Sequence, residues 1–205
     1  MNYPPKMHRT DDLMRRDTLM AAAPLACLIA DDLSCPPVFA PLVQTAAHQF
    51  SGHLLRTNPL AANTNAPLRF CVQVDERYVS PSVYAEKAQS GKVVPTWNYL
   101  AVTGRAVLRL VDDDQTQCIL ARQTEHFEAL VQGKWALDDA PAEYLAMMRK
   151  AIVGFELEIE TFVVNVKNSA NKTEADRQAI LAQWQSGQKA NNGALIADLQ
   201  RQFAG

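Results

Sequence analysis

A chain of 205 residues folds as one domain, or as one domain with a small appendage. Its 48% hydrophobic and 20% charged residues describe an ordinary globular protein and exclude a disordered chain. The formal net charge of −2 excludes attraction of the whole molecule to a polyanion, so a nucleic-acid surface would have to be a local patch. The first expected element is a helix in "TDDLMRRDTLMAA", capped by Thr10 or Asp11 and limited by Pro24. Residues 25–32, "LACLIADD", form a short apolar run bounded by acids, hence a strand. "PPVFAPLVQ" is a second extended piece whose prolines at 36, 37 and 41 suit an edge or an irregular strand better than a central one. Residues 50–55 are a strand that Asn58-Pro59 ends. Asn58 would cap and Pro59 would begin a helical turn over 59–63.

Residues 68–74, "LRFCVQV", alternate as a strand. "YVSPSVYAEKAQSG" is a loop entering a short helix that Ser80 or Ser82 would cap. Residues 95–111 give the longest strand, with Trp97, Tyr99, Ala101 and Thr103 on one face and Asn98, Leu100, Val102 and Gly104 on the other. "DDDQTQCILARQTEHFEALVQG" is a helix with acids at its start, where the helix dipole favours them. Ile119, Leu120, Phe127, Leu130 and Val131 form its apolar stripe, and Gly133 ends it. A further helix begins at Pro141. "GFELEIETFVVNVK" alternates strictly, with Phe155, Leu157 and Ile159 opposite Glu156, Glu158 and Glu160, so one face of that strand is wet. In the tail, Thr173 and Asp176 make a near capping box for a helix burying Ile180, Leu181 and Trp184, and "GALIADLQRQF" is another short helix. Short antiparallel strands with irregularly inserted helices predict an α+β small barrel rather than a doubly wound sheet.

No P-loop, G-x-S-x-G or G-x-G-x-x-G is present, and no His/Cys cluster has metal-ligand spacing. The four cysteines read as small buried thiols of a reducing compartment. No run approaches the ~18 apolar residues of a membrane span, and the charged N-terminus does not resemble a signal peptide. The expectation is therefore a cytoplasmic protein.

Three stretches suggest a ligand. Arg56, Thr57 and Asn58 stand where a strand meets a helix start, a ready phosphate cradle, or simply a cap with a surface arginine. "YVSPSVY" offers Ser80 and Ser82 between Tyr78 and Tyr84, either as ligand groups or as a Ser-Pro turn with packed tyrosines. Pro95, Thr96, Trp97 and Asn98 suit the edge of a heteroaromatic ring, or a core strand with satisfied polar tips. Together they have the character of a nucleotide or phosphorylated-cofactor site.

"SGHLLRTNP", "YVSPSVY", "VPTWNYLAVTGRA" and "AIVGFELEI" occur in the order and spacing of the PaiB family, bacterial proteins described as FMN-binding negative transcriptional regulators. The chain resembles that family from its N-terminal "YPP" to about residue 180. The family's K-L-S-Q-N-R appears as "KNSANK", keeping Lys167, Ser169, Asn171 and a basic residue at Lys172, and Val83 replaces a tryptophan in its S-P-S-W-Y. The resemblance implies an antiparallel, pyridoxamine-phosphate-oxidase-like split barrel over residues 1–168, with a helical extension over 169–205. It also implies a homodimer binding FMN without a covalent bond. Arg56, Thr57 and Asn58 would hold the phosphate with help from Ser82, and Ser80 would be a further cofactor contact. Pro95, Thr96, Trp97 and Asn98 would lie along the flavin ring, with His53 and Lys167 as further contacts. The same fold supports a regulator or a flavin-dependent oxidoreductase, and fold alone does not decide between them. No general acid or base is evident, which favours the regulator. Without a helix-turn-helix pattern or a basic run, it would reach DNA through a partner or through a patch formed in the dimer.

Overall fold

A computed structural model describes residues 4–33, 35–62 and 65–186. Eight strands and five helices follow in chain order: β1 (Arg9–Thr10), α1 (Leu13–Ala22), β2 (Leu25–Ala30), β3 (Val38–Pro41), β4 (Val43–Ala46), β5 (Gln49–Leu55), β6 (Ala66–Val79), α2 (Glu86–Gln89), β7 (Thr96–Leu110), α3 (Asp113–Leu130), α4 (Ala142–Arg149), β8 (Ile152–Lys167) and α5 (Glu174–Ser186). The strands join in the order β3-β2-β6-β7-β8-β5-β4, with β1 on β8. The expected extended piece divides into β3 and β4, which occupy the two ends of this order; β3 carries Pro41, whose missing N–H an end strand tolerates. The chain divides into two compact units, one of residues 1–11, 73–101 and 164–205, the other of residues 12–72 and 102–163.

The second unit holds the larger core. Leu28, Phe70, Leu108, Phe155 and Leu157 are fully buried. The expected alternation of β8 is realised: Phe155, Leu157 and Ile159 are buried while Glu158 and Glu160 are exposed. β5 pairs β8 antiparallel from Gln49↔Glu158 to Leu55↔Ile152. α1 inserts Arg16, whose side chain is completely buried. Its guanidinium meets Asp17 Oδ1 at 2.6 Å, donates to Ala47 O and to His48 Nδ1, and lies over the rings of Phe50 and Phe162.

In the first unit, β1 pairs β8 through Arg9↔Asn165 and Thr10↔Val164. α5 lays Ile180 and Trp184 against Val79 and Tyr84. Its start is the one the sequence suggests, with Asp176 N–H donating to Thr173 Oγ1 at 3.2 Å. Asp176 Oδ1 in turn accepts from Ala85 N–H at 3.1 Å, beside α2.

Several expectations need correction. The cap of α1 is Asp12, which accepts from Arg15 N–H at 2.9 Å; Thr10 pairs in β1 instead. Ser80 caps the 3-10 turn Pro81–Val83, while α2 has no side-chain cap. The stripe of α3 is narrower than its sequence suggests. Thr116, Ile119 and Gln123 are its buried residues, whereas Leu130 and Val131 are 57% and 73% exposed. Of the four cysteines only Cys35 is buried; Cys27 and Cys71 are half-buried and Cys118 is exposed. The expected helix "GALIADLQRQF" lies outside the described residues. No helix among the described residues is long and apolar enough to cross a membrane.

Candidate functional site

In the first unit, the start of β7, the end of β8 and the turn after it close around a pocket of about 230 Å³. His8, Tyr84, Thr96, Asn98, Lys167 and Lys172 are among the residues lining it, beside Ser169 and Asn171. Period-two alternation brings Thr96 and Asn98 to the same side of β7. Ser169 has a positive φ of 61°, and Lys172 N–H donates to Ser169 O at 2.9 Å, closing a tight turn. That turn delivers Ser169 to Asn98. Asn98 Nδ2 donates to Ser169 Oγ at 2.9 Å, and Ser169 Oγ faces Asn98 Oδ1 at 3.1 Å. Both residues are buried, so this clamp fixes one wall.

The polar groups of the pocket are not all satisfied from within. His8 Nδ1 and Tyr84 Oη are buried without a hydrogen-bond partner. Burial pushes the Tyr84 phenol up, against a lowering by the nearby Ser169 hydroxyl, and the Asp176 charge adds to the rise. The phenol is therefore a protonated donor at neutral pH. Lys167 Nζ lies 5.7 Å from the Tyr99 ring centroid and Lys172 Nζ lies 4.5 Å from that of Tyr84. Among the described residues, two ammonium groups and no carboxylate line the cavity, which favours an anionic ligand. An unpartnered buried polar atom costs about 1–3 kcal/mol, so a ligand that accepts from Tyr84 relieves a penalty already present.

Of the residues expected at the site, Thr96, Asn98 and Lys167 come together here. Trp97 stands on the opposite side of β7, 52% exposed, with its ring edge-on to Tyr78 at 5.9 Å. Pro95 is exposed. Ser80 and Ser82 bond each other at 2.6 Å and serve their own turn. His8, Tyr84, Ser169 and Lys172 were not among the expected ligand contacts. Ser169 and Lys172 carry a signal in "KNSANK", and Tyr84 one in "YVSPSVY"; His8 has none in the sequence.

The other expected residues belong to the second unit. His53 Nδ1 faces Gln123 Oε1 at 2.6 Å, and Gln123 Nε2 donates to Pro41 O at 2.8 Å. The amide orientation therefore places the imidazole proton on Nδ1 and leaves Nε2 as the acceptor. Arg56 Nη2 pairs with Asp113 Oδ1 at 2.5 Å. Asn58 Oδ1 accepts from Leu60 N–H at 3.0 Å, and Ala61 N–H donates to Asn58 O. Thr57 is exposed. The Leu60 and Ala61 amides are thus engaged by Asn58 in capping, and the arginine is engaged in a surface ion pair.

The architecture has clear counterparts among solved structures. The FAD and heme binding protein from Mycobacterium smegmatis superimposes with a TM-score of 0.59 at 15% identity, over 84% of this chain and 79% of that one. The flavocytochrome Anf3 from Azotobacter vinelandii gives 0.58 at 13% identity, over 84% and 75%. The fold is an α+β antiparallel split barrel of the pyridoxamine-phosphate-oxidase-like class. Within it, residues 2–161 match the family described as "Putative FMN-binding domain", and the chain belongs to that family. Its cofactor is FMN. An uncharacterized protein of Emericella nidulans is 29% identical over 181 residues, spanning 74% of this chain and 71% of that one. Protease synthase and sporulation protein PAI 2 of Bacillus subtilis is 26% identical over 145 residues, spanning 70% and 68%.

The first unit's pocket suits one end of FMN. Its two lysines, the Tyr84 hydroxyl and the unpartnered His8 nitrogen match a phosphate. A cavity of about 230 Å³ is smaller than the ~300–1,000 Å³ that ligand sites usually enclose, too small for the whole of FMN.

Proposed function

We propose that this protein is an FMN-binding regulator of the PaiB type that works as a homodimer, with the FMN phosphate held in the pocket of Tyr84, Lys167 and Lys172. The observation that carries this is the pair of lysines around a buried, unpartnered phenol in a chain of the FMN-binding family. Lys167 and Lys172 supply charge, Tyr84 donates to a phosphate oxygen, and the Asn98–Ser169 clamp holds the wall in place. Thr96 offers its hydroxyl to the ribityl side. FMN, when bound, supplies reversible one- or two-electron redox chemistry at its ring.

The pocket's size supports the homodimer, because the remainder of the cofactor needs further walls. A second copy provides them, with Thr57 and His53 available in the second unit. His53 Nε2 would accept a hydrogen bond there. The flavin domain then extends past residue 168 to include Ser169 and Lys172, and the helical extension starts at Glu174. The name of the Bacillus subtilis relative supports a role in gene expression over a turnover enzyme. A basic patch or a DNA-binding partner recruited by the dimer would transmit that role in the cytoplasm.

Titration of the purified protein with FMN, followed by flavin fluorescence alongside light scattering, tests this reading. Quenching that saturates at one FMN per chain on a dimer is expected. A protein indifferent to FMN would refute it. Sustained oxidation of a nicotinamide nucleotide by the FMN-loaded protein would replace the regulator with the oxidoreductase.

A further inference from the structure

β2 pairs antiparallel with β6 in the register Cys27↔Cys71, Leu28↔Phe70, Ile29↔Arg69, Ala30↔Leu68. The two cysteines are therefore directly opposite each other and project from the same face of the sheet. Neither is a buried core thiol: both are half-buried. On the same face stand Leu25, 57% exposed, and Phe39, 66% exposed, the latter the partner of Cys27 on β3. Small reagents in solvent reach this face.

The hydrogen-bond pattern tells which kind of cross-strand pair they make. Asp31 N–H donates to Pro67 O at 3.3 Å, and Asp31 and Pro67 continue the same register by one step. Hydrogen-bonded and non-bonded pairs alternate along an antiparallel ladder. Cys27 lies an even number of residues from Asp31, so Cys27↔Cys71 falls at a hydrogen-bonded pair, with Cα atoms about 5.5 Å apart. That separation is inside the roughly 4.4–6.8 Å window for a disulfide. The Cβ atoms, about 5.5 Å apart in such a pair, must close to about 4.5 Å or less, and β2 has only the four-residue end strand β3 on its other side to resist that movement. A bond formed by pinching the ladder is strained and hence easily reduced.

We infer that Cys27 and Cys71 are a thiol pair that hydrogen peroxide converts reversibly into an intramolecular disulfide joining β2 to β6. One thiolate sulfur attacks the peroxide oxygen and becomes a sulfenic acid, while the O–O bond breaks and the leaving hydroxide is protonated to water. The second thiolate then attacks that sulfur. The S–S bond forms as the S–O bond breaks, a second water leaves, and two thiols have been oxidised for one peroxide reduced. Burial first, and the nearby Cys27 second, push the Cys71 thiol up, so formation accelerates with rising pH.

The full chain treated with hydrogen peroxide tests this. Trypsin then releases Cys27 in the fragment 17–56 and Cys71 in the fragment 70–77. Expected are the two fragments linked through these cysteines, both thiols lost together, and full recovery with dithiothreitol. A Cys35→Ala, Cys118→Ala double variant, which retains only the two thiols in question, behaves the same. In Cys71→Ser, Cys27 stops at a sulfenic acid that dimedone traps. Peroxide that yields sulfinic acids without the linked fragments, or links between separate chains, overturns the inference.

Discussion

Arg16 shows how much one buried side chain can organise. Its Nε donates to Asp17 Oδ1 at 2.7 Å, and other donors reach Ala47 O and His48 Nδ1. Since guanidinium only donates, His48 Nδ1 must carry its lone pair there. Arg16→Met removes the donors and leaves Ala47 O and His48 without them. Urea unfolding should show a loss of about 3 kcal/mol, and an unchanged midpoint would mean the network is not structural. Asp75 provides a test with acid. Burial raises its pKa above the ordinary carboxylate value, outweighing the Arg77 guanidinium at 3.1 Å. The folded protein therefore holds this proton more tightly than the unfolded chain. Its contribution to stability is present below the ordinary carboxylate pKa and is lost as pH rises through the raised folded value. The denaturation midpoint of the parent should therefore fall relative to that of Asp75→Asn as pH rises through the acidic range; a difference that stays constant with pH would show that Asp75 does not cause it.

Strands carry the strictest packing. A Cβ added to Gly104 on β7 would lie within 2.1 Å of Thr161 O on β8 and press on the Phe70 ring. Backbone cannot yield as a side-chain tip can, so Gly104→Ala should cost about 3 kcal/mol or prevent folding, read as thermal unfolding or as loss of soluble protein. A stable Gly104→Ala would show that β7 and β8 can separate locally. Strands were also what the sequence conveyed best. Phe155, Leu157 and Ile159 alternate with three glutamates, and that period admits little but a half-wet strand. Asn58-Pro59 likewise announced a helical start that Leu60 N–H fulfils. The extent of the α3 stripe was less legible, because Leu130 and Val131 satisfy the helical period yet lie beyond the packed part of the helix. Trp97 illustrates a different limit. Its position on one face of β7 was readable, but which face adjoins a cavity depends on what packs there. The partner of Asn98 is Ser169, far along the chain, and a positive-φ turn brings it in; local pattern carries no trace of such a meeting.

For the whole molecule, the family match and the split barrel define an FMN-binding domain, and the distribution of charge suggests where its phosphate goes. The sequence favoured Arg56–Asn58, a turn in which the Asn58 oxygens accept from the Leu60 and Ala61 amides. The pocket of Lys167 and Lys172 instead retains a donor with no partner. Riboflavin lacks the phosphate and so isolates its contribution. Binding of FMN and riboflavin should therefore be compared for the parent protein, the Lys167→Ala, Lys172→Ala double variant and Arg56→Ala. The double variant should bind FMN at least about tenfold more weakly, as the loss of a charge-assisted contact implies, with riboflavin affinity unchanged, while Arg56→Ala binds both as the parent does. Selective loss of FMN affinity in Arg56→Ala, with the double variant unaffected, would contradict the assignment and return the phosphate to the Arg56–Asn58 turn.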